Sequence, residues 1–248
     1  MSIYRAPEKL ACYIEKWLAE HISAAGAKGA VLGISGGIDS AVLAGLLSRA
    51  VGGGKVLGVT MPIRSQPIDE EYAMLLPAVF GIKTHKVDLS AVYDAAVSNI
   101  ERNGEKLSEL AAANIKPRLR MTALYALAQT NGYLVCGSGN RVELMFGYFT
   151  KYGDSGADLL PMADLLKGEV RLLAEYLGVP LPIIDRAPSA GLWEGQTDEG
   201  EMGITYNDLD NFFATGFATD EVRVKIEGAL ARSEHKRNMP PIAQILKI

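Results

Sequence analysis

Cysteine is nearly absent, with two residues in 248, Cys12 and Cys136. They form neither a disulfide framework nor a CxxC metal pair, which excludes a stapled secreted scaffold and points to a reducing, cytoplasmic setting. Histidine is as scarce: of three residues, His21 and His85 have no metal-ligand spacing and are read as packed or solvent-facing rings. No stretch approaches the roughly 18 uninterrupted apolar residues of a membrane span, and the N-terminus MSIYRAPEKLACYIEKWLAEH carries charge throughout in place of an apolar signal region. Positive charge is not in excess either. With 25 Lys and Arg against 29 Asp and Glu the formal net charge is −4, which excludes a protein whose main task is coating nucleic acid, because that needs a basic stripe to neutralise phosphates. Any polyanion site is local. Internal repeats and low-complexity tracts are missing as well.

What is present suffices for one sizeable core: 48% of the residues are hydrophobic, and a chain of this length reads as one domain over 1–248. After Pro7, the spacing of Leu10, Tyr13, Ile14, Trp17, Leu18 and His21 predicts an opening amphipathic helix. GAVLGI (29–34), KVLGVTMP (55–62), KTHKVDLS (83–90) and YLVCG (133–137) read as strands. Helical segments follow them over AVLAGLLSRAV, near 69–80, over 89–101 and, before the last strand, over 107–132, with a break expected at Pro117. This rhythm predicts an α/β fold: a Rossmann-like, doubly wound parallel sheet with helices on both faces and right-handed crossovers. Residues 137–161 fit no simple element. GEVRLLAEYLGVP (168–180) is a helix ended by Gly178 and Pro180, 181–205 reads as a long exposed loop, and YNDLDNFFATG and TDEVRVKIEGALARS close the chain as helices.

The sharpest signal is GISGGIDS (33–40), leaving a strand and opening a helix. Ser35, Gly36 and Gly37 can turn several backbone N–H groups toward one point, and a helix N-terminus adds partial positive charge there, which makes a phosphate cradle. It has no Walker lysine; VGGGKV (51–56) has Gly-Lys but runs into a strand and reads as a turn. A plain glycine turn would need neither the Asp nor both serines. GSGNRV imitates the opening of a dinucleotide fingerprint, but Val142 stands where its third glycine belongs.

SGGIDS resembles the pyrophosphate loop of the N-type ATP pyrophosphatases, enzymes that cleave ATP to AMP and pyrophosphate while activating a substrate. NIKPRLRM (114–121), GSGNRVELMFGYFTKYGDSGADLLP (137–161), PSAGLWEGQTDEGEMGITY (188–206) and SEHKR (233–237), in that order and spacing, resemble the ammonia-dependent NAD synthetase family over nearly the whole chain. The resemblance implies ATP contacts along Gly33, Ile34, Ser35, Gly36, Gly37, Ile38, Asp39 and Ser40, and at Ser138, Lys167 and Ser189. It implies Mg²⁺ on Asp39 and Glu143, and deamido-NAD on Arg118, Lys151, Asp158, His235 and Lys236, with Arg120 in a supporting role. Hard oxygen donors beside a triphosphate suit Mg²⁺, and cations suit a ligand with its own pyrophosphate. Taken singly, Asp39 reads as a helix cap, Lys167 as a solvated lysine and SEHKR as a basic helix end. Gly191 replaces an acidic residue common in relatives, and Trp193 either covers a nucleotide or anchors its loop.

The implied reaction is amidation of deamido-NAD by ammonia through an acyl adenylate, with ATP as co-substrate, no protein nucleophile, and closure of 181–205 over the site to exclude water. Glutamine-dependent relatives carry an amidase domain for which this chain has no room, so free ammonia or a separate donor protein is expected. The family also implies a homodimer, with the apolar helix around Ala111–Ala113 and Leu119–Leu127 either at the interface or in the core. Two alternatives stand beside this reading. Another N-type pyrophosphatase is disfavoured by the missing glutaminase, by Ser2 where asparagine synthetases have a cysteine, and by dispersed cysteines; Cys136 reads as a packed thiol. A non-catalytic nucleotide-binding module would not demand the paired acids Asp39 and Glu143.

Overall fold

The structure is a computed structural model that describes residues 2–187 and 197–245. Pro7 opens helix α1 (Pro7–Ala24), in the first turn, where its missing N–H has no helical partner to lose. The face that α1 buries is Leu10, Ala11, Ile14, Leu18 and Ile22. This is rotated from the expected stripe: Tyr13 is 70% exposed, and His21 stacks on Trp17 at the surface with ring centroids 3.9 Å apart. Small Ala11 lets its face approach the core closely, which a tyrosine would prevent.

Strands and helices then alternate as β1 (Gly29–Gly33), α2 (Ile38–Val51), β2 (Val56–Thr60), α3 (Pro67–Ala73), α4 (Leu76–Phe80), β3 (Lys83–Lys86), α5 (Ser90–Glu101), α6 (Glu109–Ala113), α7 (Ile115–Asn131) and β4 (Tyr133–Val135). They are followed by α8 (Arg141–Phe146), α9 (Lys167–Leu177), α10 (Leu181–Ile184), α11 (Asp198–Met202), α12 (Tyr206–Thr215) and α13 (Asp220–Arg237). The four strands are parallel, in the order β3-β2-β1-β4. Cys136 adds a parallel bridge to Leu159. VGGGKV is the expected turn, a short 3-10 segment at Gly53–Lys55.

Helices cover both faces of the sheet, as the strand pattern requires. Ala30 and Leu32 of β1 point into a core shared with α1, α2, α9 and α10, while Val31 points the other way, against Leu119, Ala123 and Leu124 of α7 and Tyr93 of α5. This is the two-residue alternation of a strand buried on both sides. Helix α2 buries eight consecutive residues, Ser40–Leu47. A helix apolar all round belongs in the interior, so the loop before it is fixed at its downstream end. A third cluster, of Val142, Ile204, Tyr206, Leu209 and Ile226, joins α8, α12 and α13.

Several boundaries differ from expectation. The segment near 69–80 divides into α3 and α4. The break in 107–132 falls at Asn114, so Pro117 lies in the first turn of α7, where a proline costs no hydrogen bond. The stretch 137–161 contains α8, set by Asn140, whose side chain accepts the Glu143 N–H at 3.0 Å while Glu143 accepts the Asn140 N–H at 3.1 Å. Residues 181–205 are not one exposed loop: α10 inserts Ile183 and Ile184 into the core, and α11 begins on buried Asp198. The middle of that stretch, with Ser189, Gly191 and Trp193, lies outside the described residues.

Candidate active site

Strand β1 has β2 on one side and β4 on the other. Chain connections therefore diverge at its carboxyl end, where open parallel sheets bind ligands. GISGGIDS occupies that point. Ile34 is buried, with its N–H on the Val59 carbonyl at 2.9 Å. Ser40 Oγ donates to the Gly37 carbonyl at 2.9 Å and accepts the Ser35 N–H at 3.2 Å, while Ser35 Oγ accepts the Gly37 N–H at 3.3 Å. The two serines thus knit the loop. Gly36 has φ +77°, and a Cβ on it would sit 2.4 Å from the Asp69 carbonyl oxygen, so this position admits only glycine. The first helical bond of α2 runs from Ala41 N–H to the Gly37 carbonyl, which leaves the N–H groups of Ile38, Asp39 and Ser40 aimed out of the helix end.

Asp39 does not cap its own helix. Its Oδ1 accepts Asn140 Nδ2 at 2.9 Å and its Oδ2 meets Lys167 Nζ at 2.6 Å. The same ammonium lies 3.7 Å from Glu143 Oε1 and 5.0 Å from the centre of the Tyr206 ring. Lys167, expected on its own to face solvent, is buried. Burial alone would lower its pKa, but the Asp39 and Glu143 charges outweigh that and hold it above the usual lysine range. Burial first, and the Asp39 charge next, push the Glu143 carboxyl up to about 8. Two carboxylates from α2 and α8 thus converge on one point beside the serine-knitted loop. Among the described residues no group of three or more His, Cys, Asp or Glu gathers at metal-binding spacing. Two hard oxygen donors next to a phosphate cradle fit Mg²⁺, which takes one or two carboxylates and completes its shell with phosphate and water.

Supporting residues carry weaker sequence signals. Asp210 of α12 accepts the Lys167 and Gly168 N–H groups at 2.9 and 2.7 Å and so fixes the start of α9; nothing local in the sequence marks it. Asp198 takes the Tyr206 hydroxyl on Oδ2 at 2.8 Å. Asn140 was passed over in the sequence, although its three-residue spacing to Glu143 is that of a capping box. Arg186 reaches Asp69 Oδ1 at 2.5 Å, tying the chain after α10 to the segment packed over Gly36. Ser138 lies in the turn from β4 into α8, at the same carboxyl edge as the loop.

A second set of polar residues meets across α7, 147–158 and the end of α13. Arg118 Nε donates to the Lys151 carbonyl at 3.4 Å, Lys151 Nζ donates to the His235 carbonyl, and Lys236 Nζ donates to the Gly147 and Phe149 carbonyls at 2.8 and 2.9 Å. The basic end of SEHKR is thus both a helix terminus and part of this strip, with the His235 ring exposed. Asp158 stands apart from the strip. Its carboxylate accepts the Val135 N–H at 2.8 Å and the Tyr125 hydroxyl at 3.0 Å, bracing the end of β4. Among the described residues, Arg64 at 52° after β2 and Tyr152 at 59° after Lys151 adopt positive φ without being glycine. Each costs roughly 1 kcal/mol, a strain typical of functional loops. Cys136 is a packed thiol, pushed up to about 12 by burial, and among the described residues no helix is long and apolar enough to cross a membrane.

Residues 10–240 match the sequence profile of the NAD synthase family. The NH(3)-dependent NAD(+) synthetase of Finegoldia magna is 52% identical over 229 residues, covering 92% of this chain and 93% of that protein. Among solved structures, NMN synthetase from Francisella tularensis superposes with a TM-score of 0.92 at 35% identity, over 98% of this chain and 100% of that one. The NH3-dependent NAD synthetase from Campylobacter jejuni superposes with a TM-score of 0.79 at 26% identity, over 97% and 100%. The serine-knitted glycine loop at the sheet's switch point, the paired carboxylates behind it and these likenesses over nearly the full chain lead to one conclusion: the chain belongs to the NAD synthase family, a family of ATP-using, amide-forming ligases.

Proposed function

We propose that this chain amidates the nicotinate carboxylate of deamido-NAD with ammonia, using ATP and giving NAD, AMP and pyrophosphate. The observation that carries this reading is the convergence of Asp39 and Glu143 on Lys167 beside the serine-knitted loop. In the reaction the carboxylate oxygen attacks the α-phosphorus of ATP and pyrophosphate departs. Ammonia then attacks the acyl adenylate, sheds a proton and expels AMP. The N–H groups of Ile38, Asp39 and Ser40 hold the β- and γ-phosphates, with Ser138, Ser189 and the Lys167 ammonium as further ATP contacts. Asp39 and Glu143 would hold Mg²⁺, which when bound would offset charge on the triphosphate. Arg118, Lys151, His235 and Lys236 bind the dinucleotide, and Asp158 supports that site through β4. Positioning and charge neutralisation supply the rate, and no side chain acts as nucleophile.

Incubation with ATP, Mg²⁺, ammonium and deamido-NAD is expected to yield AMP and NAD in equal amounts, and neither product when Mg²⁺ or ammonium is left out. AMP without NAD would refute the assignment. A second reading is favoured by the likeness to the Francisella NMN synthetase: the same chemistry on nicotinate mononucleotide, which lacks the adenylyl half. Rates with the two acceptors, measured side by side, decide between them.

A homodimer is the proposed assembly. Its support is the outer helical layer on the α5 side of the sheet, where every residue of α5 is half-buried or exposed and Val92, Ile100 and Leu110 are each about half exposed or more. Apolar side chains in that setting suit a second copy of the chain.

A further inference from the structure

Arg120 has no task in the scheme above, yet it occupies the junction of its two halves. Arg118, two residues earlier on α7, is exposed and leans on Lys151. Two residues on, the helix has turned by more than half a circle, and Arg120 points inward, with Nε donating to the Met61 carbonyl at 3.0 Å. Met61 is the first residue beyond β2, and its methyl group lies 3.2 Å from the place a Cβ on Gly33 would take. The carboxylates whose charge Arg120 feels are Asp69 and Asp154, and burial draws its pKa down. Asp69 supplies the carbonyl over Gly36, so it belongs to the phosphate-loop side. Asp154 belongs to the Lys151 side, where its Oδ1 accepts the Thr150 N–H. Arg120 therefore lies between the cradle and the cationic strip.

Both neighbouring acids are engaged elsewhere. Arg186 and the Gln66 N–H occupy Asp69, and the Thr150 N–H occupies Asp154. Among the described residues no carboxylate pairs with Arg120 at salt-bridge distance. A guanidinium has five N–H donors, and one carbonyl leaves most of them without an acceptor. A partly buried cation in that state is set to receive an anion.

Resting on the activity proposed above, we propose that Arg120 is a catalytic residue that binds the non-bridging oxygens of the α-phosphate, from ATP through the acyl adenylate to AMP. The bond that forms joins the carboxylate oxygen to the α-phosphorus; the bond that breaks joins that phosphorus to the bridging oxygen of pyrophosphate, which leaves with the electron pair. Arg120 keeps its proton throughout and offsets the charge that builds on the equatorial oxygens.

The first test uses binding alone and needs no acceptor substrate. AMP and adenosine differ only by the α-phosphate. The full-length protein is expected to prefer AMP by roughly 10- to 100-fold, and Arg120→Met to bring that preference to within threefold of unity, with its melting temperature close to that of the parent. Arg120→Lys, which keeps the charge without the fork, is expected to fall between. An unchanged AMP-to-adenosine ratio in Arg120→Met, or no preference in the parent, overturns the proposal whether or not deamido-NAD is the true acceptor. The second test is turnover. Acceptor-dependent exchange of labelled pyrophosphate into ATP is expected to drop about 100-fold in kcat for Arg120→Met with little change in the KM for deamido-NAD, and added methylguanidinium is expected to restore part of it in Arg120→Ala. Loss of activity only in proportion to lost folded protein, without rescue, also overturns it.

Discussion

Lys167 brings an ammonium into the space where two carboxylates face each other, 2.6 Å from one and 3.7 Å from the other. With the side chain about one-tenth exposed, screening by water is weak. Removing one partner of a buried charge set leaves the others uncompensated, at a cost of about 3 kcal/mol. Lys167→Met is therefore expected to melt well below the parent in metal-free buffer, and to regain more of its melting temperature than the parent does when millimolar Mg²⁺ is added, because the cation replaces the missing ammonium between Asp39 and Glu143. Thermal melts with and without Mg²⁺ check this; equal Mg²⁺ responses in the two proteins would exclude a metal held by those acids. At this scale the sequence showed residue types but not partners. Asp39 could be read as a cap and Lys167 as solvated because both readings satisfy local rules. Their meeting spans 128 residues.

At the scale of elements, the start of α9 sets Lys167, and it is fixed from outside the helix. Leu166 cannot cap it, and Glu169 takes the Leu166 N–H at 3.0 Å instead. Glu169 also receives Arg5, through Nε and one terminal nitrogen, both at 2.7 Å, and through the Arg5 N–H at 2.9 Å. Burial alone would raise the Glu169 carboxyl, but the Arg5 fork and the backbone donors outweigh it and hold it below the usual glutamate range. A depressed carboxyl contributes stability that is full above the unfolded value, near pH 4.3, and is lost as pH falls through the folded one. Arg5→Ala is thus expected to cost about 2 kcal/mol at pH 7, and clearly less at pH 3.5, in urea titrations at both values. An equal loss at both would mean that Arg5 acts through packing alone. The tie runs from residue 5 to residue 169, and no periodicity announces it. The helix itself was plain from GEVRLLAEYLGVP, because 3.6-residue spacing and Gly178 are local signals.

For the whole molecule, the thin helical cover on one face of the sheet has a consequence in solution. If a second copy seals the α5 side, sedimentation at micromolar concentration gives a dimer, and the melting temperature rises with protein concentration. Val92→Asp together with Leu110→Asp is expected to give a monomer whose melting temperature is independent of concentration. A parent that sediments as a monomer would end the dimer proposal. The expected helix around 111–127 proved to be α6 and α7. Of their residues Ala113, Pro117 and Ala128 are buried, while Leu119, Leu124 and Leu127 are partly buried against the sheet, so the leucines of α7 serve the core and the exposed apolar groups lie on α5 and at Leu110 of α6.

What the sequence determined by itself was whatever obeys short-range rules. Alternation and apolar runs produced the parallel strands, glycine and proline their ends, and GISGGIDS its turn from strand into helix, since each depends on residues within about one turn or one strand of one another. The tertiary structure alone decided which side chains meet: that Asp39, Asn140, Glu143 and Lys167 close on one point, that Asp158 braces a strand while Arg118 and Lys151 line up, that 181–205 sends two short helices back to the body, and that Arg120 turns inward to the Met61 carbonyl. Those encounters follow from strand order and helix packing over separations of tens to more than a hundred residues, where chain entropy and the burial of distant surfaces govern and no local pattern carries the information.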